Sequence, residues 1–115
     1  MNVKEFAERF SLHVAAGQKE LHRQIQGGYC GDLLSDVMAN APTGCIWLTV
    51  QTHQNIVNVA VLHEMAAIVL TGGRTPDQET MGRANQEGIP LLMWPGSAYD
   101  LAGQAFAAGL VNRAA

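Results

Sequence analysis

Two short segments hold residues whose types and spacing could do chemistry: Gln51-Thr52-His53-Gln54-Asn55 and Thr71-Gly72-Gly73-Arg74. A histidine titrates near neutrality, so His53, flanked by the Thr52 hydroxyl and the amides of Gln51 and Asn55, could bind a phosphate or act as a base. Gly72 and Gly73 allow the backbone angles of a tight strand-to-helix turn. Free amides at the start of the following helix, with Arg74 beside them, could hold an anion. The same segment also makes sense without a ligand. Thr75 serves as N-cap, Pro76 sits at the first helical position where its missing N–H costs nothing, and Gln78 completes a capping box.

Several chemistries are excluded by what these segments lack. A phosphate-binding P-loop needs GxxxxGK followed by Ser or Thr, and a dinucleotide fingerprint needs GxGxxG; neither occurs. Lys4 and Lys19 lie near the N-terminus, away from any such loop. No Ser or Cys nucleophile with an acidic orienter stands near His53, so no catalytic residue is assigned. His63 reads as structural, and His13 and His22 have no ligand-like spacing. Asp32, Asp36, Glu79, Glu87 and Asp100 fall on helix starts or solvated faces. Cys30 and Cys45 show no CxxC spacing and no Cys/His cluster, so both are expected to be small buried hydrophobes in a reducing cytosol, with no metal and no cofactor.

The elements that must position the two segments are read from hydrophobic period. Val3, Phe6, Ala7 and Phe10 make a first helix, with Asn2 as N-cap and Glu5 closing a capping box. Short strands follow in SLHVAAG and RQIQGGYCG. Asp32 then caps a helix whose stripe is Leu34, Val37, Met38 and Ala41, ended by Pro42. CIWLTV, AAIVLT and IPLLMW are apolar at nearly every position, as strands covered on both faces of a parallel sheet are. Helix-length segments separate them, which makes βαβ units. Of these, Ile56 to Met65 is apolar on most of its circumference and PDQETMGRANQEG is polar. A last helix carries the stripe Ala98, Leu101, Ala102, Ala105, Phe106 and Gly109. Trp47 reads as core; Trp94, beside Pro95-Gly96, reads as core or as a rim residue able to stack on a ring.

This is an α/β fold, a mainly parallel sheet with flanking helices, in one domain over residues 1–115. Ligands of such sheets sit outside the carboxyl ends of the strands, where QTHQN, TGGRTPD and WPGSAYD should share one edge, joined by the turn before Asp32. A formal charge of -3 with seven scattered Lys and Arg excludes a nucleic-acid footprint. The charged N-terminus and the absence of a long apolar run exclude a signal peptide and a membrane span, so a cytoplasmic protein is expected. The charged fraction is 15%, leaving an apolar surplus for a partner to cover.

AAIVLTGGRTPDQETMGRANQEGIPLLMWPGSAYDLAGQ resembles the DRTGG domain, with an aliphatic strand running into Thr-Gly-Gly, a proline-started helix, Gly-Ile-Pro with a strand, and a final helix. The resemblance extends upstream to about Ile25. It implies a fold like the N-terminal domain of HPr kinase/phosphorylase and an accessory or dimerising role beside other domains. No Asp-Arg pair precedes Thr71, and the corresponding loop holds Gln51 to Asn55. The leading expectation is a non-catalytic regulatory or ligand-binding module, a homodimer that takes a small anionic metabolite or nucleotide. Gln51, Thr52, His53, Asn55, Thr71, Gly72, Gly73 and Arg74 are its candidate contacts. The rivals are a small enzyme using His53 on a phosphorylated substrate and a structural adaptor for a protein partner in a metabolic or redox complex.

Overall fold

The computed structural model describes residues 1–112, arranged on one five-stranded sheet of order β1-β5-β4-β3-β2. In chain order the elements are α1 (Val3–Arg9), β1 (His13–Ala16), β2 (Gly27–Cys30), α2 (Leu34–Asn40), β3 (Cys45–Thr49), α3 (Asn55–Leu62), β4 (Ala67–Leu70), α4 (Gln78–Glu87), β5 (Leu91–Met93) and α5 (Ala98–Ala107). A 3-10 turn, Gln18–Glu20, joins β1 to β2. Strands β2 to β5 are parallel, and β1 pairs antiparallel with β5.

Each strand alternates its side chains between two apolar layers, and both layers are covered. Cys45, Trp47, Ile68, Leu70 and Leu91 meet Val37 of α2, Ile56, Val57 and Ala60 of α3, and Ala84 of α4. Ile46, Leu48, Ala67, Val69 and Leu92 meet Val3 and Phe6 of α1 and Leu101 and Ala105 of α5. That double cover is why the central strands are unbroken apolar runs: every residue of β3 and β4 is buried. Fully burying one such aliphatic side chain stabilises by about 1.5–3 kcal/mol. The crossover helices α2, α3 and α4 share one face because β2 to β5 succeed one another in a single direction across the sheet.

The first helix forms as its sequence requires, with Asn2 and Glu5 exchanging hydrogen bonds of 2.8 and 2.9 Å. Two other helix starts differ from expectation. Asp32 does not cap α2: Leu33 holds the N-cap place without a side-chain bond, and the Asp32 carboxylate turns to β3. Helix α4 begins at Gln78, with Asp77 as N-cap and no capping box from Thr75 and Gln78. There Pro76 is buried and Asp77 remains extended at ψ 153, so the chain runs on past Gly72-Gly73 before it coils.

Helix α3 stops at Leu62, because Glu64 takes φ 51 and reverses the chain so that Met65 is buried at the entry to β4. The predicted stripes are also narrower than their sequence suggests. Met38 and Phe106 are exposed, and Gly109 lies past the end of α5. Trp47 is wholly buried; Trp94 is half-buried in the α1/α5 layer, its indole N–H donating to the Ser97 carbonyl at 3.0 Å. Cys45 is buried but Cys30 is exposed, since β2 is an edge strand.

Candidate functional site

The parallel strands bring the two chemically equipped segments together at one edge. Thr49 at the end of β3 is in register with Leu70 at the end of β4, and the Thr71 N–H donates to the Thr49 carbonyl at 3.0 Å. The loops that follow are therefore neighbours. The antiparallel β1 adds His13 to this edge, opposite Met93 at the end of β5. Sequence reasoning set His13 aside because nothing in the order of residues announces that β1 runs backwards.

The β3–α3 loop is held by side chains. The Asp32 carboxylate accepts from the Thr49 hydroxyl at 2.9 Å and from the Val50 N–H at 2.8 Å. Gln51 closes the bracket: its side-chain amide donates to the Asp32 carbonyl at 3.1 Å, and its N–H donates to Thr49 Oγ1 at 3.2 Å. On the far side, the Thr80 hydroxyl of α4 donates to the Thr52 carbonyl at 2.7 Å. His53 is exposed, and its Nδ1 accepts the Asn55 N–H at 3.2 Å, the first amide of α3. That bond engages Nδ1 at the helix start and leaves Nε2 on the far side of the ring. Asp32 is the residue this loop depends on that helix capping rules assign elsewhere; its only sequence signal is its place just after the glycine-rich end of β2.

The β4–α4 turn is held by backbone. Gly72 and Gly73 have φ of 74 and 72, the left-handed region that glycine enters without steric cost. Their N–H groups are not free to cradle an anion, contrary to the sequence expectation. Gly72 donates to the Gly96 carbonyl at 2.7 Å and Gly73 to the Trp94 carbonyl at 3.1 Å. These bonds span the place where the helices that follow the neighbouring strands β4 and β5 leave on opposite faces, α4 on one and α5 on the other. Open α/β sheets keep their binding crevice at such a switch. Here the two turns are stitched across it. Thr71 is buried, with its hydroxyl against the Thr49 carbonyl at 3.5 Å. Arg74 is exposed and folds back over the turn to donate through Nη1 to the Thr71 carbonyl at 3.2 Å. A guanidinium carries five N–H donors, and among the described residues no other acceptor engages those of Arg74.

The edge is thus divided. Gln51, Thr52, Thr71, Gly72 and Gly73 shape the loops through their own bonds, Gln51 doing so from an exposed position, and His53, Asn55 and Arg74 are the other exposed polar residues of the predicted set. Among the described residues no group of three or more His, Cys, Asp or Glu could hold a metal ion, and no helix is long and apolar enough to cross a membrane.

No protein-family model and no curated protein matches the chain. Among solved structures, the chain is similar to the crystal structure of the CBS and DRTGG domains of the regulatory region of Clostridium perfringens pyrophosphatase, complexed with its activator diadenosine tetraphosphate. The TM-score is 0.69 at 13% sequence identity, over 98% of this chain and 49% of that one. The fold is of this CBS/DRTGG-like α/β kind. The chain spans about half the length of the regulatory region it matches.

Proposed function

We propose that the chain is a DRTGG-type regulatory module, related in fold to the N-terminal domain of HPr kinase/phosphorylase. In this reading it binds a small anionic metabolite or nucleotide at the carboxyl ends of β3 and β4. The observation that carries the reading is the exposed guanidinium of Arg74, which spends one donor on the Thr71 carbonyl, on the same sheet edge as the exposed His53–Asn55 loop, since both follow the neighbouring strands β3 and β4. The fold adds support, since nearly the whole chain aligns with a regulatory region crystallised with a nucleotide activator. The anion sits on Arg74 and His53 and not among the glycine amides, which are already engaged. A catalytic reading of His53 gains nothing from its surroundings, because its Nδ1 faces a backbone amide where an acidic orienter would be needed.

The module is homodimeric in this reading. Leu33 and Met38 of the α2 segment and Val61 and Leu62 of α3 are large apolar side chains on the surface, with Leu33 and Leu62 each 68% exposed. Light scattering at micromolar concentration tests this directly, and a monomer mass overturns it.

Thermal unfolding with diadenosine tetraphosphate and with mono-, di- and triphosphate nucleotides tests the ligand. A ligand present at about a hundred times its Kd stabilises the chain by about 2.7 kcal/mol. The expected result is a raised Tm that Arg74→Ala and His53→Ala each reduce. A Tm unmoved by every nucleotide overturns the nucleotide reading and favours a module that binds proteins alone.

A further inference from the structure

Away from the strand ends, on the face of the sheet covered by α5, a cavity of about 240 Å³ lies between β2 and that helix. Gly28, Cys30, Ile46 and Leu48 form its sheet side, and Ala105 and Phe106 its helix side. It exists because both walls carry small residues where a strand and a helix would otherwise interlock. Gly28 presents only its Cα; a Cβ there would come within 3.4 Å of the Leu110 carbonyl and 3.8 Å of the Ile46 side chain. Opposite, Ala102 and Ala105 leave the facing side of α5 without the bulk that would fill the space. No residue lining the space is Asp, Glu, Lys, Arg or His, so a charged guest would lose its hydration with no counter-charge in return.

The segment after α5 forms the remaining wall. The Leu110 N–H donates to the Ala105 carbonyl at 3.0 Å, and the Gly28 N–H donates to the Val111 carbonyl at 3.2 Å. The second bond takes the outward donor of edge strand β2 at the point where an incoming strand would have to pair. The space is therefore suited to a guest that enters past a side chain, not to a peptide added along the edge. Phe106, 65% exposed, stands at the mouth.

We propose that this cavity binds a compact, uncharged, apolar molecule, such as one aromatic ring system with short substituents. An apolar cavity of about 150 Å³ suffices for benzene, and scaling by volume gives about ten non-hydrogen atoms here. Phe106 covers the guest's exposed edge, and the aliphatic side chains of Ile46 and Leu48 form the floor. This site is separate from the Arg74–His53 edge and asks for the opposite chemistry.

Indole is the probe, added to the full chain labelled for amide NMR. The expected result is saturable shifts centred on Gly28, Cys30, Ala105 and Leu110. Ala102→Leu, which places a side chain in the cavity, should abolish them, and Phe106→Ala should weaken the affinity about fivefold by removing an aromatic contact. Benzoate, similar in size but charged, should produce none. Absence of saturable shifts up to the solubility limit of indole overturns the proposal. So does full retention of indole binding by folded Ala102→Leu. Should that variant not fold, Phe106→Ala decides alone, because an exposed side chain can be removed without loss of the fold; unchanged affinity then overturns the proposal. A dimer that becomes monomeric in Phe106→Ala, with no response to indole, assigns the face to a second copy of the chain and overturns it equally.

Discussion

The two halves of the parallel sheet are secured by different means. Around β2 and β3 the ties run through side chains and acidic groups: Asp32 to Thr49 and Val50, the Tyr29 hydroxyl to Asp36, and the Trp47 indole N–H to the Gly31 carbonyl. Around β4 and β5 the ties run from backbone to backbone, through Gly72 and Gly73. The first half depends on the identity and protonation of particular side chains. The second depends chiefly on a backbone able to adopt positive φ. Raising the pH or truncating a side chain should therefore damage one half and spare the other.

The largest effect expected is alkaline. Burial pushes the Cys45 thiol from its ordinary 9.0 up to about 12. Burial and the hydrogen bond to Asp36 push the Tyr29 hydroxyl from 10.0 up to about 12. The folded chain holds these protons more tightly than the unfolded chain, so their contribution is intact below pH 9 and is lost between there and about pH 12. Denaturant unfolding across that range should show stability falling as the pH rises, with the buried Cys45 thiol contributing the larger part. Cys45→Ala should delay the fall to pH 10 and above, and amide exchange should open β2 and β3 before β4 and β5. Simultaneous opening of all four strands breaks the comparison.

Next in size is Asp32→Ala. Removing an ionised acceptor strands the Thr49 hydroxyl, which is 1% exposed as a residue, so about 2–3 kcal/mol should be lost. Asp32→Asn keeps a carbonyl acceptor and should lose less, as urea midpoints would show. Smaller again is Gly73→Ala. A Cβ there meets only the Pro95 carbonyl, at 3.8 Å, so the cost of about 1–2 kcal/mol is that of φ 72 alone. Gly72→Ala should cost a similar amount and also displace the Arg74 guanidinium, whose Nη1 occupies the place that Cβ would take. Its signature is weakened nucleotide stabilisation, which Gly73→Ala should leave in place. Arg74→Ala should change stability in buffer by less than about 0.5 kcal/mol, as surface substitutions do, and act only on ligand stabilisation.

What the sequence revealed follows the same division. Elements carried by hydrophobic period were legible: the doubly buried β3 and β4, the helices between them, and α1 with its Asn2–Glu5 box. Features that arise only when distant segments meet were not. TGGRTP satisfies local capping rules from Thr75 to Gln78, yet burial of Pro76 outweighs them and delays α4. Gly-Gly at 72–73 is compatible with free amides or engaged ones, and the carbonyls that decide the matter belong to Trp94 and Gly96 in another turn. Asp32 fits a helix N-cap in sequence, but β3 offers it a hydroxyl and an amide together. The Gly-Gly pair at 27–28 resembles the one at 72–73 on paper; in the fold it is extended strand, and the missing side chain of Gly28 opens a cavity.

The place of β1 has a consequence for how the chain assembles. Strands β3 to β5 can each dock on the strand made just before, but β1 must wait for Leu91–Met93 to be synthesised before it has a partner. Until then its edge of the sheet has no strand to close it. The last event in building the sheet therefore joins two segments far apart in sequence. A fragment ending before Leu91 would retain the first βαβ units and still leave β1 unpaired.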